Sequence, residues 1–438
     1  MTYVMLASRG ENRPFSGWLF EWLRRRCLLR PKFLLLALLV LASLAAQGQY
    51  HFRVLHSFGA GTDGSGVWDG VTLDASGNIY GATSGGGSHN DGIIFQLTPH
   101  SSGRWTETIL HTFPSSPDDG GGPWGGVVLD SKGNLYGTTI SLGRHDSGIA
   151  FSLAPDKPGW REKILHSFCS RQNCNDGGAP WGSLIADPKG DLFGTGYVAF
   201  ELTPGQKGWT DVTLHDFTGK NSDGWFPMAG PIRDAAGNLY GTTLHGGGGP
   251  LCADGCGTVW QLQPPASEES APMAWTEHIL HRFGFSDSDG VWPGVGQLAI
   301  DAQGNLYGTA NGGKYRAGVV YKLARPAAGS DEEWQETILY NFTGRADGAV
   351  SAGVIFDHAG NLYGTTAIGG ASECRCGVVF KLSPRKDGSW KYTLLHTFVG
   401  TDGAEPNNNL TLGPDGNLYG TAATGGAYGG GVVFELTP

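Results

Sequence analysis

The sequence predicts an all-β protein, a seven-bladed β-propeller of four-stranded blades closed by its own N-terminal strand. Three observations predict it. The phrase Gly133-Asn134-Leu135-Tyr136-Gly137-Thr138-Thr139 recurs seven times with small variations; each copy precedes a glycine-rich gap and an apolar run such as Gly148-Ile149-Ala150-Phe151; and the chain opens with the kind of strand that its last repeat lacks.

The opening glycines of the phrase are Gly77, Gly133, Gly190, Gly237, Gly304, Gly360 and Gly416, at spacings of 56, 57, 47, 67, 56 and 56 residues. Such a period is too long for helical solenoids. Glycine makes up 73 of 438 residues but falls at fixed offsets beside Val, Ile, Leu, Phe and Tyr, as expected of turns and bulges between short strands rather than of collagen or disorder.

Within one unit, alternation predicts strands at 127–130, 134–139, 149–153 and 160–168. The turn from Asp130 to Asn134 has an acceptor side chain and a glycine that tolerates positive φ. Asp74, Asp187, Asp234, Asp301 and Asp357 repeat that turn, and Gly413 replaces the acid in the seventh unit. The fourth strand ends in a Leu-His pair at His56, His111, His166, His215, His281 and His396, with Tyr340 in the remaining place. One ring per unit, replaceable by Tyr, reads as packing or a backbone hydrogen bond rather than as catalysis.

The chain begins with a fourth-type strand, 51–58, and ends on a third-type strand, 431–437. Together they complete a seventh, composite blade, so the ring leaves no open edge. The expected organisation is a signal peptide or N-terminal membrane anchor over 1–48 and a propeller over 51–438, with a monomer expected.

The phrase resembles the GloVer tandem repeats, whose units read G-N-L-Y-G-T-T, then G-G, then G-x-V-F-x-L. The match is closest at 360–366 with 377–382 and at 416–421 with 431–436. The resemblance covers 51–438 and implies an exported bacterial repeat protein, in a family with an optional C-terminal sorting anchor and no implied activity. The sequence runs to Pro438 directly after its last strand, so no such anchor is expected here.

Arg24, Arg25, Arg26, Arg30 and Lys32 precede an apolar run over 33–46, followed by small residues. This is the pattern of a secretory signal, with cleavage expected after Ala45 or Gly48, or of an uncleaved anchor. Secretion, the periplasm or the cell surface is the expected location. The net charge is −10, and −15 without residues 1–48; so acidic a body has no general attraction for nucleic acid or anionic lipid. Apart from Cys27, the cysteines form close pairs, Cys169 with Cys174, Cys252 with Cys256 and Cys374 with Cys376, which in an exported chain predicts local disulfides.

Loops joining strands two and three, and those joining one blade to the next, open on one face, which is the expected functional surface. The blade-to-blade loops share an Asp-Gly pair at Asp63, Asp119, Asp176, Asp223, Asp289, Asp347 and Asp402. Each is read as capping its own turn. Asp287 and Asp289 are the weak candidates for a cation, calcium if any, though the segment lacks a calcium loop's distal Glu; no other cofactor is expected. Residues carried by only some blades inform more. Trp68, Trp124, Trp181, Trp225 and Trp292 cluster in the first five units and offer faces on which a sugar ring can stack. His145 and His245 sit in individual loops as ligand-binding candidates, and the third unit lacks a strand-two to strand-three loop. There is no G-x-S-x-G elbow and no H-E-x-x-H pair.

Two functions compete. The first is an exported binding or surface-interaction module holding a glycan, peptide or protein partner. The second is an extracellular polysaccharide lyase or hydrolase with Asp and His as acid and base, which requires two titratable groups facing one pocket.

Overall fold

The computed structural model describes residues 50–437 except 117, 221, 266–273 and 328–332, and not the side chain of Ser351. The expected signal or anchor, Cys27 and most of the loop 264–274 lie outside the described residues. No helix among the described residues is long and apolar enough to cross a membrane.

Seven antiparallel four-stranded sheets form the ring, so the predicted propeller is the fold. In the first blade the order from the channel outward is Thr72–Leu73, Ile79–Thr83, Ile93–Pro99 and Trp105–Thr112. The composite blade runs Thr411–Leu412, Leu418–Ala422, Val432–Thr437 and then His51–Ser57. His51 pairs with Thr437 and Ser57 with Val432, and Arg53 is bonded to Glu435 across the closure.

Each part of the repeated phrase has a physical task. In the sixth unit Asp357 Oδ1 accepts from the backbone N–H groups of Ala359 and Asn361, while Oδ2 accepts from Asn361 Nδ2 (2.7 Å) and the Tyr363 hydroxyl (3.1 Å). The turn acid, the Asn and the Tyr are thus one network, rebuilt around Asp74, Asp130, Asp234 and Asp301. In the seventh unit Asp415, two residues after Gly413, takes over. The third unit has Asp191 and Phe193 in place of Asn and Tyr, and Arg233 of the next blade approaches both Asp187 (3.6 Å) and the Phe193 ring (5.7 Å).

The second glycine of the phrase serves packing, not turning. A Cβ at Gly81 would stand 2.5 Å from Phe95 Cζ, and one at Gly241 would stand 2.3 Å from Trp260 Cζ2. These rings belong to the third strand of the same blade and are fully buried. The first Thr bonds onward to the next blade, Thr195 to the Ala229 carbonyl (2.8 Å) and Thr421 to that of Asp69 (2.9 Å). The second Thr closes its own loop, as when Thr83 donates to the Gly85 carbonyl and accepts from Ile93 N–H.

The core consists of seven apolar layers, one between each pair of neighbouring blades, including the pair joined by closure, where Phe58 and Phe95 meet Tyr419 and Val433. The Leu-His pair is a β-bulge. Leu110 is skipped between the Ile94–His111 and Phe95–Ile109 pairs, and the same shift recurs in the outer strand pair of every blade. Bulges re-aim side chains, and here the following ring turns toward the neighbouring blade.

Candidate functional site at the mouth of the channel

The two loop sets do share a face. Gly64–Ser65 pairs with Gly85–Gly86, Gly120–Gly121 with Ser141–Leu142, and Gly224–Trp225 with His245–Gly246, each joining a blade-to-blade loop to a strand-two to strand-three loop. In the third blade the latter loop is a tight turn: Gly196 N–H bonds to the Val198 carbonyl, and Tyr197 is 49% exposed.

At the centre of this face a cavity of 210 Å³ opens, walled by Trp68, Trp124, Trp181, Met228, Leu244, Pro293 and Val295. Trp68 stacks on Trp124 (centroids 5.2 Å apart, planes 8°), Trp124 meets Trp181 edge-on at 5.1 Å, and Trp181 lies 5.9 Å from Phe226. The first three blades therefore present one continuous aromatic wall. Trp225 and Trp292 do not line this cavity; they are 45% and 41% exposed. His245 lies 5.5 Å from Trp225, and exposed His145 lines a separate groove with Asp118, Arg144 and His166. Asp287 is exposed while Asp289 is buried.

The floor is polar and unsymmetrical. Four residues before the turn acid stand Gly70, Gly126, Gly230 and Gly353 in four blades but Ser183, Gln297 and Asn409 in the other three. Backbones crowd at this level, since a Cβ at Gly296 would lie 1.9 Å from Gly353 N. Asp69 reaches across: its Oδ2 accepts from Ser183 Oγ (2.5 Å) and Gly126 N–H (2.9 Å), and its Oδ1 from Gly70 N–H (2.6 Å). Burial pushes its carboxyl up, and these bonds only partly oppose the rise. Asn408 is 3% exposed, and neither its Oδ1 nor its Nδ2 has a hydrogen-bond partner; Trp181 Nε1 and Asn409 Oδ1 are also buried without one. Thr365 fixes the Asn408 backbone by donating to its carbonyl (3.1 Å). Below lies a second cavity of 590 Å³, sharing Asp69 and Gln297 with the first.

Away from the channel, the re-aimed rings pack edge-on against the Phe two residues on, as expected of them, but face carboxylates rather than backbone hydrogen-bond partners. Between blades seven and one, His56 Nε2 is 3.5 Å from Asp63 and 3.7 Å from Glu107 of the next outer strand. His111, Asp119 and Glu162, His215, Asp223 and Glu277, and His281, Asp289 and Glu336 repeat the group. The loop acids also cap their turns as the sequence predicts, with Asp289 Oδ2 accepting from Gly284 N–H (2.7 Å). Burial pushes the carboxyls of Glu107 and Glu277 up to about 7.

Sequence reasoning missed Asp69, Ser183, Gln297, Asn408 and Asn409, although aligning the units on the turn acid displays them as exceptions, Ser183, Gln297 and Asn409 to glycine and Asp69 and Asn408, one position earlier, to glycine or alanine. It also missed the glutamates, which follow a Trp in W-T-E, W-R-E and W-Q-E runs four residues before the His or Tyr of the Leu-His or Leu-Tyr pair.

The family model of the Gloeobacter/Verrucomicrobia repeat matches residues 41–199 and 276–438. The chain belongs to that repeat family. The unmatched interval, 200–275, holds the outer part of the third blade and the first three strands of the fourth, where the spacing of the phrase shortens and then lengthens. No curated protein matches the chain. Among solved structures, this Gloeobacter/Verrucomicrobia repeat protein is similar to a luciferin-regenerating enzyme (12% identity, 89% of this chain and 95% of that one, TM-score 0.43). It is also similar to the PQQ-bound aldose sugar dehydrogenase of Streptomyces coelicolor (14%, 88% and 98%, TM-score 0.39). The repeat family and the propeller suit a surface or binding module, and three disulfides, Cys169–Cys174, Cys252–Cys256 and Cys374–Cys376, suit an extracellular place.

Proposed function

We propose that the protein is an exported binding module that takes a neutral sugar ring into the mouth of the channel. One observation carries this reading: an aromatic-walled cavity ends on buried hydrogen-bonding atoms, Asn408 Oδ1 and Nδ2 and Trp181 Nε1, that no protein group satisfies. Buried polar atoms are nearly always bonded, and leaving one unmade costs about 1–3 kcal/mol. A ligand with an apolar C–H face and several hydroxyls would stack on the indoles and satisfy the amide together. The lyase or hydrolase alternative has less support, because Asp69 is the single titratable side chain among those described that line this cavity.

The experiment is a titration of the purified chain with mono- and oligosaccharides, read by tryptophan fluorescence and calorimetry. Binding that falls about thirtyfold or more in Trp124→Ala and in Asn408→Ala is expected, as for central anchors. If no saccharide perturbs either signal, the sugar reading fails and a protein partner takes its place.

A further inference from the structure

The four complete His-Asp-Glu groups between outer strands differ from their three incomplete relatives in a way that points to a ligand. Where Phe52 replaces the Glu, His396 Nε2 and Asp402 Oδ2 close to 2.9 Å. Where the Glu place is taken by Asp211, which Arg171 holds at 2.8 Å, His166 and Asp176 close to 3.2 Å. In the sixth blade, where Tyr392 stands there, the Tyr340 hydroxyl donates to Asp347 at 3.0 Å. These are ordinary hydrogen bonds.

With the Glu present the groups stand further apart, and of the four only His215 and Asp223 still hydrogen-bond, at 3.4 Å. His–Asp distances are 3.5, 3.5, 3.4 and 3.6 Å, and His–Glu distances are 3.7, 3.7, 3.5 and 3.7 Å. The fifth blade is clearest. His281 Nε2, Asp289 Oδ1 and Glu336 Oε1 face one another, all three are buried, and none has a hydrogen-bond partner; Asp289 itself is only 8% exposed. One imidazole nitrogen and two carboxylate oxygens are ligands of zinc, and atoms bonded at about 2.0–2.2 Å in a tetrahedron lie about 3.4 Å apart. At His56, His111 and His281 the separations match that spacing, and the ring nitrogen has no hydrogen-bond partner.

We infer that each complete group, His56/Asp63/Glu107, His111/Asp119/Glu162, His215/Asp223/Glu277 and His281/Asp289/Glu336, binds a divalent transition cation such as zinc that staples two neighbouring blades. The ligands come from the outer strand of one blade, the connecting loop and the outer strand of the next, so the ion bridges three segments. Two carboxylates and a neutral imidazole balance a dipositive ion.

The test uses the full chain without a histidine tag, stripped with chelator and titrated with zinc. Elemental analysis after desalting is expected to give about four equivalents per chain, and binding to the native state raises the unfolding midpoint. Glu336→Gln and Glu107→Gln, both near-isosteric, are each expected to remove one equivalent while retaining the wild-type circular dichroism spectrum. The double variant Arg171→Ala with Asp211→Glu, which rebuilds the missing group, is expected to add one. A folded, stripped chain that takes up less than one equivalent, or whose uptake neither Glu→Gln variant lowers, overturns the inference.

Discussion

Ser183 donates its hydroxyl to the Asp69 carboxylate at 2.5 Å, joining residues 114 positions apart in sequence across the channel. The pair spans from the first blade to the third, over the backbone of the second, whose Gly126 N–H bonds to both side chains. A buried carboxylate is tolerated there because three donors, Ser183 Oγ, Gly126 N–H and Gly70 N–H, converge on it.

Ser183→Ala is expected to destabilise the fold by about 1.5–3 kcal/mol, the range for a hydrogen bond to a charged group. Denaturant unfolding measures it, with the slope unchanged if the two-state transition is retained. Asp69→Asn in the Ser183→Ala background should add less than it does alone, since the two side chains share one network.

Gly241→Ala is expected to cost about 2–3 kcal/mol, because the added methyl would meet the Trp260 ring at 2.3 Å in a filled layer. Combining it with Trp260→Leu should recover part of that loss, whereas independent effects would simply add. Thermal melts of the two single variants and the double variant decide it.

Acid sensitivity follows from the turn network. Burial alone would raise the Asp357 carboxyl, but the hydrogen bonds from Asn361, Tyr363 and Ala359 outweigh it and hold the group below its usual range. A depressed folded-state pKa contributes stability that is fully present above the unfolded value of about 3.9 and is lost as pH falls through the folded value. Asp357→Asn should therefore be less stable than the parent at pH 7, by about 1 kcal/mol, with the gap closing below about pH 4. Urea midpoints from pH 7 to pH 2.5 test this, and a gap constant with pH would sink it.

The blade was legible because its causes are local. Asp357, Asn361 and Tyr363 act within seven residues, so their spacing survives in the one-dimensional text. The composite blade was legible for a different reason, since strand types can be counted at both ends. The glutamate groups were not, because Glu107 meets His56 only after a whole blade intervenes, and no fixed period ties a residue to its neighbour's outer strand. Trp124 and Trp225 were grouped in the sequence as one set, yet Trp68, Trp124 and Trp181 each stand five residues after their loop Asp whereas Trp225 stands two after Asp223; only the first three reach the channel wall, and Trp225 belongs to a loop ribbon paired with His245. The bulge at the Leu before each His, which sends the ring to carboxylates rather than to backbone, was not legible either, because it depends on sheet register.

The closing strand has a consequence for how the molecule is made. Arg53 and Glu435 are 382 residues apart, so the first strand of the ring emerges long before the partner that seats it. Six blades can form in order as the chain lengthens, each on the last, while the opening segment waits unpaired. Circularisation therefore cannot precede the synthesis of Val432–Thr437, and a chain interrupted before residue 432 would lack the partner of its opening strand and keep exposed, aggregation-prone edges.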